Sequence, residues 1–332
     1  MNEYLYYPGC SLEGSARAYA ASLTAVVAPL GIGLHEIDDW NCCGATEYLT
    51  LSPLRGHALI ARNLALAEAQ RDGASTLVAP CSACYVNLSK TDRYYRESGG
   101  FAELVNKALA ADNLSYDGGS LRIRHLLEVL VEDVGLDAIA ARVTRPLTGL
   151  RVAPYLGCLV SRPDLDRRWG EHEQPHALDQ LMSALGAEVV DYPMRTSCCG
   201  GHMTQINPET AWELIRRLVE CADHVHADLM VTVCPMCQMN VDAYQGEMDR
   251  HYRARYRVPI LFFTQLMGLA FGMDPKTLGI GTEVVSPATA LSRIGVELPP
   301  PGEGQDAGAE HDKKRQKRPT GLPMPQPLES KR

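Results

Sequence analysis

The chain has 332 residues, 45% hydrophobic, 22% charged and 6% aromatic, enough for one large domain or two of common size. Its 32 Lys and Arg against 40 Asp and Glu give a net charge of −8, which argues against general nucleic-acid binding. No stretch approaches the roughly 20 apolar residues that span a bilayer, and the N-terminal MNEYLYYPGC lacks the basic and apolar segments of a secretory leader, so a cytoplasmic protein without a membrane span is expected.

In chain order, residues 3–7 read as a short strand, with Cys10 on the turn after it. A helix follows over 13–30, then a strand over 34–37 that leads into Cys42-Cys43-Gly44. Ser52-Pro53 is a cap and first-turn pair for a helix reaching about residue 71. Residues 77–79 form the next strand, and Ser82 starts a helix. The region 101–150 reads as mostly helical, 122–134 in particular. The second half repeats the pattern: strand 151–155, helix 175–185, strand 188–191, helix 209–227, strand 229–233 and a helix from Pro235. Strands alternating with helices predict parallel α/β units. Each cysteine element falls just past a strand end, where such sheets place their sites. Residues 299–332 hold seven prolines and the basic run 313–318, cannot bury a core, and are expected to be a disordered tail.

The cysteines carry the functional signal. Eleven of them in an intracellular chain stay reduced, which favours metal or redox chemistry over a disulfide framework. Ten share one grammar, written twice. Cys10 is followed after 31 residues by Cys42-Cys43, and after 37 more by Cys81-x-x-Cys84. Cys158 is followed after 39 residues by Cys198-Cys199, and after 34 more by Cys234-x-x-Cys237. The flanks agree: Tyr7-Pro8-Gly9-Cys10 matches Tyr155-Leu156-Gly157-Cys158, and a glycine follows each adjacent pair. The chain is an internal duplication, with expected domains 1–145 and 146–298 packed as pseudo-twofold partners.

Soft thiolates in such groups select zinc or iron–sulfur clusters. A Cys-x-x-Cys pair at a helix start lets two sulfurs grip one metal edge while helix N–H groups face the negative charge. Five thiolates exceed the four of a structural zinc or an ordinary cubane, so either one cysteine per set is spare or the cluster is not a simple cubane.

The pattern resembles the duplicated cysteine-rich CCG domain of the heterodisulfide reductase B-subunit family, over about residues 1–270. The resemblance implies two Rossmann-like CCG domains, each holding a noncubane 4Fe-4S cluster with all five cysteines as ligands. One cluster takes Cys10, Cys42, Cys43, Cys81 and Cys84; the other takes Cys158, Cys198, Cys199, Cys234 and Cys237. It implies a disulfide oxidoreductase, with the disulfide in a cleft between the clusters and one electron delivered to each sulfur. It also implies partner proteins of the same complex, one ferredoxin-like and one flavin-containing, because the chain has no cubane relay of its own.

Other residues have plainer expectations. His202, just after Cys199-Gly200, is the candidate catalytic proton donor to a thiolate product. Cys221 shares a helical face with Leu214, Leu218 and Val225 and is expected in the core. His224 and His226 are expected to face solvent or to be structural. Trp40, Tyr7 and Tyr155 are expected to shield the clusters. Three alternatives stay open: a sulfur-oxidation component that works on persulfides, a CCG electron-transfer component serving a quinone, and a zinc-stabilised scaffold, zinc in one site being compatible with the ligands.

Overall fold

In the computed structural model, which describes residues 2–45, 48–161 and 175–298, the chain runs twice through one alternation of strand and helix. The first passage comprises β1 (Asn2–Tyr6), α1 (Cys10–Glu13), α2 (Arg17–Val27), β2 (Ile32–Glu36), α3 (Tyr48–Leu51) and α4 (Pro53–Ala69). It continues through β3 (Thr76–Ala79), α5 (Ser82–Glu97), α6 (Gly99–Leu109), β4 (Arg122–His125), α7 (Leu126–Glu128) and α8 (Leu136–Ala140). The second comprises β5 (Arg151–Tyr155), α9 (Ala177–Ala184), β6 (Glu188–Val189), α10 (Met203–Ile206), α11 (Pro208–His224) and β7 (Leu229–Thr232). It ends with α12 (Pro235–Ala243), α13 (Gln245–Tyr252), β8 (Ile260–Phe262), α14 (Phe263–Ala270) and α15 (Ala288–Ser292).

All strand pairs are parallel, and the two four-stranded sheets share one order, β2-β1-β3-β4 and β6-β5-β7-β8. The order reverses between β1 and β3, and again between β5 and β7. Chain segments leaving two such strands part in opposite directions and open a crevice at their C-terminal ends. Cys10 follows β1 and Cys81 follows β3; Cys158 follows β5 and Cys234 follows β7. Each crevice is therefore lined by the first and last cysteine elements of its repeat.

The expected α/β class with duplicated parallel sheets holds, with two local corrections and one strand that was not expected. Residues 122–134 are not one helix: β4 occupies the start, followed by α7 and a π-helical turn, Val129–Gly135. The helix expected over 13–30 is divided, because Cys10 itself opens α1 and the chain bends after Gly14 before α2. The apolar run 258–271 carries the fourth strand of the second sheet, β8, which runs directly into α14. The tail 299–332 lies outside the described residues.

Met1–Leu298 forms one compact unit. Strands covered on both faces read as unbroken apolar runs, and β7 is buried at every position. One apolar core spans both sheets. At its centre α2 lies on α14, where Ser22 Oγ and Thr264 Oγ1 hydrogen-bond at 2.7 Å. Tyr19, fully buried, stacks on Phe262 with ring centroids 4.4 Å apart, a contact of about 0.5–1.5 kcal/mol beyond area burial. Arg124 in β4 is also buried, its guanidinium paired with Asp133 and Glu132, which is how a strand of two arginines and a histidine enters a core.

His57 gives this fold a pH dependence. It is buried against Tyr94 and Phe101, with Nδ1 2.8 Å from Thr91 Oγ1. Burial, reinforced by the Lys90 charge, lowers its pKa from 6.5 to about 4. The unfolded chain thus binds more protons between these values, so stability is complete above pH 6.5 and declines as pH falls to about 4. The loss is up to about 3 kcal/mol at roughly 1.4 kcal/mol per pKa unit. Urea midpoints across this range are expected to fall for the wild type and to fall less for His57→Phe.

Candidate metal centre

The loops that carry the cysteines are built alike in both repeats. Gly9 and Gly157 precede the first cysteines with φ of +74° and +72°, a conformation glycine adopts without cost. A Cβ at Gly9 would lie 2.8 Å from Cys84 Sγ, and one at Gly157 would lie 2.9 Å from Cys237 Sγ. The absence of a side chain is what lets the first loop meet the last. Tyr7, fully buried, donates from its hydroxyl to the Asn41 carbonyl at 2.8 Å, just before Cys42-Cys43. Tyr155 does the same to the Ser197 carbonyl at 2.9 Å, just before Cys198-Cys199. These tyrosines therefore pin the adjacent-cysteine loop in addition to covering the site.

Secondary anchors differ between repeats. The Asn63 side chain accepts from the Asn41 amide at 2.8 Å and donates to its carbonyl at 2.9 Å. In the second repeat the Arg195 carbonyl accepts from the Leu156 and Gly157 amides at 2.9 and 3.0 Å, and its buried guanidinium pairs with Asp179.

The structure brings together all ten cysteines singled out by the spacing. None is in a disulfide. Cys10 and Cys42 lie 3.5 Å apart at sulfur, and Cys43 and Cys84 lie 3.3 Å apart. Cys42 and Cys43 are chain neighbours, and Cys81 and Cys84 stand together at the start of α5, which joins the two pairs into one set, the first quintet. In the second, Cys198 is the main influence on the Cys158 thiol, and Cys199 and Cys234 are the main influences on that of Cys237, pushing both thiols well up. The two quintets approach each other at Cys81 and Cys234, because the carbonyls of the residues just before them, Pro80 and Val233, lie 3.1 and 3.4 Å from the one Tyr19 hydroxyl. Each quintet has a sealed end and an open one: Cys43, Cys81, Cys84, Cys199, Cys234 and Cys237 are buried, Cys10 and Cys42 are exposed, and Cys158 and Cys198 are intermediate.

The electrostatics follow from this network. A hydrogen bond from Cys10, then one from Cys43 and the Gly44 and Ala45 amides, lowers the Cys42 thiol to about 2. The same bond, with burial, pushes Cys10 well up. Cys234 is held well below the usual thiol range by Cys237, Cys81 and the amides of Cys237 and Met236. Cys81 and Cys234 are the N-cap residues of α5 and α12, so both sulfurs sit at helix N-termini that favour anions.

The donor set fits a sulfur-ligated metal core. It consists of soft thiols, drawn from three loops per repeat, with glycine clearance at the closest approach and amide donors to sulfur. Around a tetrahedral ion with bonds of about 2.3 Å, thiolates stand nearly 3.8 Å apart, wider than the contacts here. Among the described residues no group of three or more His, Cys, Asp or Glu side chains surrounds a single-ion position.

The cysteine-rich CCG domain model matches twice, at residues 4–89 and 152–242. The chain belongs to the CCG family of cysteine-rich domains. It is 35% identical over 289 residues, 87% of its length and 99% of the relative's, to the 8-methylmenaquinol:fumarate reductase membrane anchor subunit of Wolinella succinogenes. It is 27% identical to the B subunit of the ferredoxin:CoB-CoM heterodisulfide reductase of Methanosarcina mazei, over 89% of this chain and 97% of that one. A protein of Archaeoglobus profundus described as like the heterodisulfide reductase B subunit is 29% identical, over 84% and 94%. The crystal structure of a hypothetical protein from Helicobacter pylori shares the fold, with a TM-score of 0.69 at 15% identity; the match spans 86% of this chain and about half of that one, 52%. No helix among the described residues is long and apolar enough to cross a membrane.

Both CCG repeats contain a residue that motif reading passed over. Asn87 and Asn240 each stand three residues after the last cysteine, so the element is Cys-x-x-Cys-x-x-Asn in both repeats. Asn87 Nδ2 donates to the Cys43 carbonyl at 3.0 Å and lies 4.0 Å from its sulfur. Asn240 Nδ2 donates to the Cys199 carbonyl at 3.3 Å, its sulfur at 3.5 Å and the Gly201 carbonyl at 2.8 Å. One turn of helix carries each amide from the last cysteine back to the middle pair. Tyr19 was passed over as well. Its hydroxyl lies 3.1 Å from the Pro80 carbonyl and 3.4 Å from that of Val233, the residues before Cys81 and Cys234. A single phenol from the first CCG repeat thus braces the last cysteine elements of both.

His202 occupies the N-cap position of α10 beside the second adjacent pair and is partly buried. Cys221 departs from expectation. The buried stripe of α11 is Ala211, Ile215, Leu218, Val219 and Ala222, which leaves Cys221 half-buried at its edge. His224 and His226 are exposed, and Trp40 meets the Tyr7 ring edge-on at 5.4 Å. A cavity of about 520 Å³ lies between the two CCG repeats, lined by Arg17, Gln238, Asp242, Phe262 and Glu283 among others.

Proposed function

We propose that the chain is a heterodisulfide-reductase-type subunit, in which 1–145 and 146–298 are two lobes that each hold a noncubane 4Fe-4S cluster. All five cysteines of each quintet serve as ligands, Cys10, Cys42, Cys43, Cys81 and Cys84 in one and Cys158, Cys198, Cys199, Cys234 and Cys237 in the other. The observation that carries this is the convergence of the buried Cys81 and Cys234, whose preceding carbonyls share the Tyr19 hydroxyl. When bound, such clusters supply one-electron transfer at potentials spanning roughly −700 to +450 mV. The protein's part is to hold two sulfur cages side by side in an interior closed to water, with their open ends turned outward. Two adjoining one-electron centres suit a two-electron acceptor, whose half-reduced form would otherwise be a high-energy radical.

The relatives from Methanosarcina mazei and Archaeoglobus profundus support a disulfide as that acceptor, and His202 is the proposed proton donor to the thiolate product. The corresponding partners are a ferredoxin-like protein and a flavin-containing one, in a cytoplasmic complex. The 35% identity to the Wolinella succinogenes relative favours a second reading, electron exchange with a quinol by the same pair of centres. Anaerobic purification is expected to yield a brown protein with about eight irons and matching acid-labile sulfide per chain, as two such clusters require. Dithionite-reduced protein mixed with a small-molecule disulfide is expected to reoxidise, with a new paramagnetic signal. Reoxidation by a menaquinone analogue alone would select the quinol reading, and a colourless protein with one or two zinc ions would overturn both.

A further inference from the structure

The two quintets are matched at nearly every position, and the mismatch at one of them is informative. The first residue of the helix inside Cys-x-x-Cys is Ser82 in the first repeat and Pro235 in the second. Proline at this position has no N–H to satisfy and brings no donor of its own. Ser82 brings a hydroxyl, is only 1% exposed, and its Oγ has no hydrogen-bond partner among the described residues. A buried, unmet hydroxyl costs free energy and calls for an explanation such as an absent ligand. It stands one residue after Cys81, the N-cap of α5, and two before Cys84, on the first turn of that helix.

We infer that the Ser82 hydroxyl is a hydrogen-bond donor to the sulfur-rich centre held by the first quintet, with no counterpart in the second, an inference that rests on the cluster reading above. A donor to cluster sulfur stabilises the reduced, more negative state and raises its potential. Asn87 and Asn240 occupy equivalent places in the two repeats, so the serine adds a donor that only the first centre has. Its effect is to make the first centre easier to reduce than it would be without the hydroxyl.

The test is a potentiometric titration of the anaerobically loaded protein, followed by electron paramagnetic resonance, for the wild type, Ser82→Ala and Ser82→Thr. Ser82→Ala is expected to keep the iron and sulfide content. It is expected to make one of two resolved centres about tenfold harder to reduce, about 59 mV for one electron, while the other stays in place. Ser82→Thr, which keeps the hydroxyl, is expected to restore the wild-type value. Metal-free Ser82→Ala is expected to unfold at the same or a higher urea concentration than metal-free wild type, since it loses an unmet group. Unmoved midpoints, or equal movement of both, in a fully loaded protein would overturn the serine's role alone. Lower stability of the metal-free variant would do the same, by showing a protein partner. A wild type that takes up no iron and sulfide would overturn the cluster reading itself.

Discussion

Gly157→Ala is expected to empty the second quintet while leaving the first loaded, so that iron and sulfide per chain fall by half. The physical case has two parts. At φ +72° an L-residue costs about 1–2 kcal/mol. The new methyl would also lie 2.9 Å from Cys237 Sγ, closer than real Cβ contacts come. That sulfur is buried, so it cannot yield without disturbing the side chains around it. Gly9→Ala is the mirror experiment, with Cys84 Sγ 2.8 Å from the new methyl, and is expected to empty the first quintet instead. Iron and sulfide analysis after anaerobic reconstitution decides the matter, with far-ultraviolet circular dichroism to show that the sheets persist. Full loading of either variant would mean that the loop shifts freely, and the close approach would have no functional meaning.

Tyr19→Ala is expected to be among the most destabilising single changes in the molecule. It removes a fully buried ring from between Phe262 and Phe263, a kind of truncation that costs about 3–5 kcal/mol. Tyr19→Phe separates packing from bridging: it keeps the ring and deletes only the hydroxyl shared between Pro80 and Val233. Leaving buried carbonyls without their donor costs about 1–3 kcal/mol. Urea unfolding of both variants gives the two contributions, and a Tyr19→Phe midpoint equal to wild type would show that the phenol bridges nothing.

What could be read in advance, and what could not, follows from where the physical signal resides. The cysteine elements were legible because a repeat reports itself: two copies of one spacing leave few folds that satisfy both. The strands β3, β5 and β7 were legible to within a residue because central parallel strands must be apolar. β4 was not, because its Arg124 becomes a core residue only once Asp133 and Glu132 close around it, and neither partner is visible from the strand. β8 was hidden inside an apolar run that passes into α14 without punctuation, where periodicity distinguishes nothing. Cys221 lies at the edge of its stripe and not within it, since one position along a helix turns a side chain by about 100° and Ala222 takes the buried place. Asn87 and Asn240 were legible and unread; their shared offset from the last cysteine is as regular as the motif itself. Tyr19 had no such mark, because its importance lies in a contact with a residue more than two hundred positions away.

The uneven exposure of the sulfurs sets how the molecule ages in air. Oxidants attack accessible thiolates first. The open thiols Cys10 and Cys42 belong to one repeat. Their counterparts Cys158 and Cys198 are half covered, and the inner six are out of reach. Damage therefore enters from one side, and the first lobe acts as the sacrificial rim of the second.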